Sequence, residues 1–243
     1  MKKVKCIMIR SQQFEIACVL CVCMVLAAVS CKKDNEPTND PKSVKDIDGN
    51  IYTTVKIGDQ FWTVENLRTT KYNDGTPIQP ITNNNDWMAL TNGSYCYYNN
   101  EPANDNPYGK LYNWYAVNTG KLCPRGWHIP TEAEWTQLID ALGGEADAGG
   151  KMKTIGNKEA GTGQWNEPNT GATNESGFTG LPGGYRYYSG GTFSSIGNYG
   201  HWWSSTEYDE GIAWDVRLQY GGSDISMDGF HKKTGLSCRC IRD

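Results

Sequence analysis

The stretch Leu122-Cys-Pro-Arg-Gly-Trp-His-Ile-Pro-Thr-Glu-Ala-Glu-Trp-Thr-Gln-Leu-Ile-Asp-Ala-Leu-Gly-Gly144 constrains the fold more than any other part of the chain. Thr131 and Glu134 form a capping box, in which the Thr hydroxyl accepts from the N3 amide and the Glu carboxylate accepts from the Thr amide. Glu132 and Glu134 also place negative charge at the positive end of the helix dipole. Trp135, Leu138, Ile139 and Leu142 recur at i, i+3, i+4 and i+7, so one stripe of the helix is apolar. Gly143-Gly144 ends it, because glycine enters the left-handed conformation without steric cost. A helix this short is marginal in water by itself, so its stripe must be buried against a sheet.

Period-two signals supply the strands. Val44 to Val64 reads as a β-meander with turns at Asp48-Gly49-Asn50 and Gly58-Asp59. Ile212, Trp214, Val216 and Leu218 alternate with Ala213, Asp215 and Arg217, the clearest strand in the chain. His201 to Ser205 is another strand. Leu236 to Arg242 closes the domain and puts Cys238 and Cys240 on one face. Gly149 to Lys153 predicts a short second helix. Between residues 66 and 120 the sequence is mostly irregular, and aromatics from Tyr95 to Tyr115 either pin these loops onto a core or line a site.

The first thirty residues read as a leader. Lys2, Lys3, Lys5 and Arg10 precede an apolar run of 14 residues, Ile16 to Val29. That is short of the ~20 needed to span a bilayer and fits a signal-peptide core. Leu26-Ala-Ala-Val-Ser-Cys31 resembles the bacterial lipobox, which implies acylation of Cys31; an ordinary secretory signal cut near Ser30, or an uncleaved anchor, is the alternative. Residues 31–43 hold no apolar cluster and read as a disordered tether. Their charged start resembles the surface-export tag of lipoproteins in some Gram-negative bacteria. The expected organisation is a signal peptide (1–30), a tether (31–43) and a domain (44–243), anchored by lipid at the outer membrane or cell surface.

Removing residues 1–30 leaves 19 basic and 26 acidic residues, a net charge of −7. This argues against nucleic acid as a partner. Cys96, Cys123, Cys238 and Cys240 remain in the exported domain. Their even number points to two disulfides, for which four cysteines allow three connectivities; a metal cluster is the alternative, disfavoured by the lack of a Cys-x-x-Cys or paired histidine spacing. The expected pairs are Cys123–Cys240, which ties the start of the helical segment to the last strand, and Cys96–Cys238.

Six motifs then appear in order: Ile57-Gly-Asp-Gln-Phe-Trp with Glu65-Asn-Leu, Tyr108-Gly-Lys-Leu-Tyr-Asn-Trp-Tyr, Cys123-Pro-Arg-Gly-Trp-His-Ile-Pro-Thr, Gly177-Phe-Thr-Gly-Leu-Pro-Gly-Gly-Tyr-Arg, Trp203-Ser-Ser-Thr-Glu and Arg239-Cys-Ile-Arg-Asp243. Together they resemble the Fibrobacter succinogenes major paralogous domain, a family of exported bacterial lipoproteins, over nearly all of residues 46–243. The family brings no biochemical activity with it. Ile129-Pro-Thr-Glu-Ala-Glu-Trp and Gly235-Leu-Ser-Cys-Arg-Cys-Ile-Arg also resemble parts of formylglycine-generating-enzyme-type domains. That likeness implies an α+β, C-type-lectin-like fold with one or two helices on short antiparallel sheets and long loops.

The chemistry of those enzymes does not carry over. Their copper site needs two cysteines five positions apart, whereas Cys238 and Cys240 are two apart. Their iron-dependent relatives need three histidines, and His128, His201 and His231 show no ligand spacing. Glu167-Pro168-Asn169 matches a calcium-ligating tripeptide of mannose-type lectins but lacks its downstream partner, so calcium is at most a weak expectation and no other cofactor is expected. The expected function is a non-catalytic module that binds a glycan or protein ligand. A divergent enzyme or a purely structural envelope protein is the alternative. The candidate ligand-binding residues are Tyr185, Tyr187 and Trp202. Trp202 and Trp203 must face opposite sides of a strand, and Trp202 is expected outside.

Overall fold

The capping box forms as the sequence requires. In the computed structural model, which describes residues 40–243, helix α1 spans Glu132–Ala141. The Glu134 amide donates to Thr131 Oγ1 at 3.3 Å, and the Thr131 amide donates to the Glu134 carboxylate at 2.8 Å. Trp135, Leu138 and Ile139 are buried. Gly143 and Gly144 take φ of 98° and 90°, the left-handed exit that glycine allows. A second helix, α2, follows over Glu145–Met152. It begins four residues before the sequence signal, because Gly149 and Gly150 lie inside it.

Those two glycines answer to tertiary contact rather than to helix propensity. A Cβ on Gly149 would come within 2.2 Å of the Asp224 carbonyl oxygen, and one on Gly150 within 2.4 Å of that of Gly171.

The stripe of α1 packs on a five-stranded sheet of order β1-β2-β3-β13-β7. Its strands are β1 (Ser43–Lys45), β2 (Ile51–Ile57), β3 (Gln60–Thr63), β7 (Trp127–His128) and β13 (Ile241–Arg242). The first three are the meander read from the sequence, and the chain's closing strand lies beside β3. Trp135 of α1 meets Trp62 of β3 with ring centroids 4.7 Å apart.

A second antiparallel sheet joins β10 (Tyr199–Glu207), β11 (Ile212–Gln219) and β12 (Ile225–His231). Two smaller units complete the domain: β4 (Gln79–Pro80), β5 (Ser94–Cys96) and β6 (Leu111–Tyr112), and the hairpin β8 (Tyr185–Arg186) with β9 (Phe193–Ser194). The architecture is α+β, with few helices and mostly antiparallel sheets. Tyr95, Tyr98, Tyr108, Tyr112 and Trp114 are buried, so most of the aromatics of the irregular region pin loops onto the core.

Strand β10 corrects the expectation for Trp202. Trp202 and Trp203 do face opposite sides, yet both are fully buried. Trp203 enters the cluster around Tyr52, Tyr112 and Cys240, and Trp202 the cluster around Trp62, Trp135 and Phe178. Their indole N–H groups donate to Tyr112 O and Asn66 Oδ1, each at 2.8 Å. Alternation fixed the sides correctly. It carried no information on what covers each side, and β10 runs between two cores.

Cys123 and Cys240 form a disulfide across 117 residues of sequence. Closing such a loop stabilises by about 4–5 kcal/mol in the chain-entropy model. The expected Cys96–Cys238 bond does not form, and both are buried free thiols. Cys96 packs with Trp87, Tyr98 and Leu111, while Cys238 belongs to the cluster of Trp203. The two side chains therefore fill different clusters. Burial pushes the Cys96 thiol up to about 12 and that of Cys238 well above its ordinary value, so both behave as small apolar groups.

The leader, the tether up to residue 39 and the lipidation site Cys31 lie outside the described residues. Among the described residues no helix is long and apolar enough to cross a membrane.

Candidate functional site: an aromatic cleft on the second sheet

The register of β10, β11 and β12 decides what each face of their sheet carries. Val216 and Leu218 turn into the core with Trp202. Alternation therefore puts Ala213, Asp215 and Arg217 on the opposite face with His201 and Trp203. His201 pairs with Arg217 and Trp203 with Asp215 across β10 and β11. Ala213 pairs with Phe230 and Asp215 with Asp228 across β11 and β12. His201 and Asp215 are thus diagonal neighbours, within reach of each other. His201 Nδ1 lies 2.8 Å from Asp215 Oδ2.

Asp215 is fully buried and His201 nearly so. Burial raises the Asp215 pKa; the hydrogen bond and charge of His201 oppose the rise, and Asp228 adds to it. Asp215 Oδ1 has no hydrogen-bond partner among the described residues. Such a carboxylate can hold the imidazole in one tautomer and orientation, leaving the other ring nitrogen for a further partner.

The hairpin β8–β9 supplies the facing wall. Arg186 is buried beneath it and donates to Gly191 O, Ile81 O, Thr82 O and Asn84 Oδ1. With Arg186 anchored inward, its neighbour Tyr185 turns the other way, towards the sheet. Ser195 follows β9 in a left-handed conformation, φ 69°. Its carbonyl accepts from the amides of Asn198 and Tyr199, both at 3.0 Å, and so closes the turn that starts β10.

Between hairpin and sheet lies a cleft of about 230 Å³, lined by Tyr185, Ser195, Tyr199, His201, Arg217 and Phe230. The His201 ring meets Tyr185 and Phe230 edge to face, at 5.4 and 5.1 Å. An aromatic strip leads outward from Tyr185 through Tyr187 to Tyr188, with centroid spacings of 6.4 and 4.7 Å. Tyr188 stacks flat on His231 at 4.2 Å.

Two larger hollows differ in how their polar groups are used. One, about 360 Å³, includes Gln60, Glu134 and Asp243. Gln60 donates to Glu134 O and Gln137, and Glu134 serves the helix cap and His128. The other, about 280 Å³, includes Asp46, whose carboxylate accepts from Asn50 and Tyr52. Arg242 in the first and Lys45 and Arg125 in the second also make no hydrogen bond to protein among the described residues, so the cleft differs from both in the aromatic walls, Tyr185, Tyr199 and Phe230, that surround its cation. Arg217 makes no hydrogen bond to protein among the described residues. Its contacts are a 3.4 Å ion pair with half-exposed Asp228 and the Tyr199 ring at 5.7 Å.

Of the three aromatic candidates read from the sequence, Tyr185 forms a wall of this cleft and Tyr187 stands exposed on the strip beside it. Trp202 is core, so it belongs to no ligand surface. His201, Arg217 and Phe230 were missed. The alternation of β11 signalled that Asp215 and Arg217 share a face, but only strand pairing brings His201 to them.

The other proposed chemistries find no assembled site. Cys240 is held in the disulfide and Cys238 is buried, so they form no pair of thiolates. His128, His201 and His231 engage different partners: Asp243 with Glu134, Asp215, and Tyr188. In the tripeptide at 167–169, the Asn169 amide donates to Thr154 O and Gly156 O. Among the described residues no three metal-ligating side chains converge.

The molecule is thus an α+β domain whose second sheet carries a small aromatic cleft with an unspent cation. The Fibrobacter succinogenes major domain matches residues 55–242, and the chain belongs to that family. No curated protein and no solved structure matches the chain.

Proposed function

We propose that this protein is an exported, lipid-anchored protein of the cell envelope whose domain is a non-catalytic binding module for a glycan. The leader, with its apolar run closing on Ala-Ala-Val-Ser-Cys31, supports export and acylation. The charged tether supports an outer-membrane or surface location in a Gram-negative bacterium. Helix α1 opening on Ile129-Pro-Thr and the cysteine-bearing closing strand support a C-type-lectin-like fold of the formylglycine-generating type. The dispersed histidines and the locked cysteines favour binding over catalysis.

The observation that carries the binding reading is the cleft, where Tyr185, Tyr199 and Phe230 meet the unspent Arg217. Aromatic walls with a few placed polar groups are the usual make-up of a ligand site. Its volume, about 230 Å³, falls below the ~300 Å³ at which drug-sized pockets begin. That size suits one ring of a sugar chain better than a folded protein surface, and the strip through Tyr187 and Tyr188 offers further rings a stacking platform.

The test is a glycan array probed with the full chain in detergent, wild type beside Tyr185→Ala and Tyr187→Ala. Binding that both substitutions reduce supports the reading; binding indifferent to both rejects the cleft. For the anchor, Cys31→Ala should accumulate unprocessed precursor, and an unmodified mature N-terminus by mass spectrometry would refute acylation.

A further inference from the structure

We propose that the cleft selects a sugar ring bearing a carboxylate, such as a uronic acid within a polysaccharide. This rests on the binding-module reading and goes beyond it by assigning the ligand's charge. Three observations carry it. First, Arg217 presents a planar fork of N–H donors at the cleft wall with no hydrogen bond to protein among the described residues, over the Tyr199 ring at 5.7 Å. That fork matches a carboxylate in two parallel hydrogen bonds. Second, its ion pair with Asp228 is long, 3.4 Å, and both side chains are more than a third exposed, so a better-placed acid displaces it at small cost.

Third, His201 is part of the same wall and is held from behind by a fully buried carboxylate, 2.8 Å away. An imidazole fixed on one side adds a directed group beside the guanidinium. The two hydrogen-bonded arginines make the contrast plain. Arg186 and Arg239 also sit over aromatic rings, yet each spends four of its five N–H donors on three carbonyls and one amide oxygen. Arg217 has donors left to give, as has Arg242 over Phe61 at 5.7 Å, but of the two it is Arg217 that stands in the aromatic cleft. Asp228 and, behind His201, the buried Asp215 are the charges that work against an acid, and the exposed Asp228 supplies an internal control.

The experiment uses the full chain in detergent on an array of length-matched neutral, uronic-acid and sulfated oligosaccharides, with the strongest binder taken to calorimetry. Uronic-acid chains should dominate. Arg217→Met should weaken that binding by about 10- to 100-fold, the equivalent of losing a charged hydrogen-bond pair. Arg217→Lys should recover only part of it, and Asp228→Asn should tighten it. Neutral chains binding as well as uronic ones, or Arg217→Met without effect, overturns the acid assignment; if Tyr185→Ala still abolishes binding, the module itself stands. A preference for sulfated chains overturns the carboxylate and leaves an anion site of another class. Silence across the whole array overturns both this inference and the glycan reading.

Discussion

Arg239 and Arg217 are built from the same parts and do different work. Arg239 lies over Phe178 at 4.4 Å and is fully buried. It donates to Asn66 Oδ1, Thr63 O, Phe178 O and Thr179 O at 2.7–3.1 Å. Burial lowers its pKa from the usual value, but four acceptors around a guanidinium keep it charged. It ties the loop after Gly177 to the last strand, next to the disulfide at Cys240. Arg217 lies over Tyr199 with none of those acceptors. A guanidinium with four donors engaged in the core is a structural bolt, and one with its donors free beside a cleft is a binding group. The difference lies in where the donors go, and residue type alone does not reveal it.

The bolt can be tested first, because its effect should be the largest. Arg239→Met keeps the stem and the stacking but takes the donors from three backbone carbonyls in the core, while Asn66 Oδ1 keeps the Trp202 indole N–H. At ~1–3 kcal/mol for each stranded group, relaxation included, the loss should reach about 4 kcal/mol or more. Urea unfolding reads it directly. A loss under about 1 kcal/mol would erase the distinction between the two arginines.

The aromatic residues sharpen the same contrast. Trp202→Ala should cost about 3–5 kcal/mol, as deletions of buried aromatics do. Tyr187→Ala, on an exposed ring, should stay within about 0.5 kcal/mol. Thermal melts of the two variants side by side decide the matter, and equal losses would mean that the strip is packed rather than presented.

The sequence made legible what is local. Thr131, Glu134 and the glycine pair wrote the ends of α1, and the turns at Gly49 and Gly58 wrote the meander, because each depends on neighbours a few positions apart. The resemblance motifs proved architectural as well. Trp62, Tyr112, Trp114, Phe178, Arg186, Trp203 and Arg239 all lie within them and all are buried. Of the cleft residues only Tyr185 falls inside a motif. His201, Arg217 and Phe230 come together through pairing between three strands, and no periodicity encodes which strand lies beside which. The Cys96–Cys238 expectation failed for the same reason, since an even count of cysteines carries no geometry.

Intermediate between bolt and cleft group is His128, whose ring nitrogens are engaged by Asp243 and Glu134 but remain reachable by water. Burial by itself would lower its pKa. Hydrogen bonds to Asp243 at 2.6 Å and Glu134 at 2.9 Å outweigh that, and the pKa is raised from 6.5. A group whose pKa is higher folded than unfolded binds its proton more tightly in the folded state. Its stabilisation is therefore complete below pH ~6.5 and fades as pH climbs through the raised value. Unfolding free energy measured from acid to mildly alkaline pH should fall across that window. His128→Gln should flatten the fall, and salt should shrink it, because the pair is a third or more exposed. An unchanged slope in the variant would assign the titration elsewhere.

The smallest expected change is also the one that closes the comparison. Arg217→Met removes a charge that makes no hydrogen bond to protein among the described residues, on the face of a sheet whose hydrogen-bond ladder does not involve the side chain. It breaks one half-exposed ion pair with Asp228, and such pairs contribute about 0–1 kcal/mol. The methionine stem still covers the Tyr199 ring. Stability should therefore move by about 0.5 kcal/mol or less in the same urea titration that unfolds Arg239→Met early. Were Arg217→Met to cost as much as Arg239→Met, its donors would have to be engaged in the fold after all. The cleft would then lose the unspent cation on which the acid-sugar inference depends.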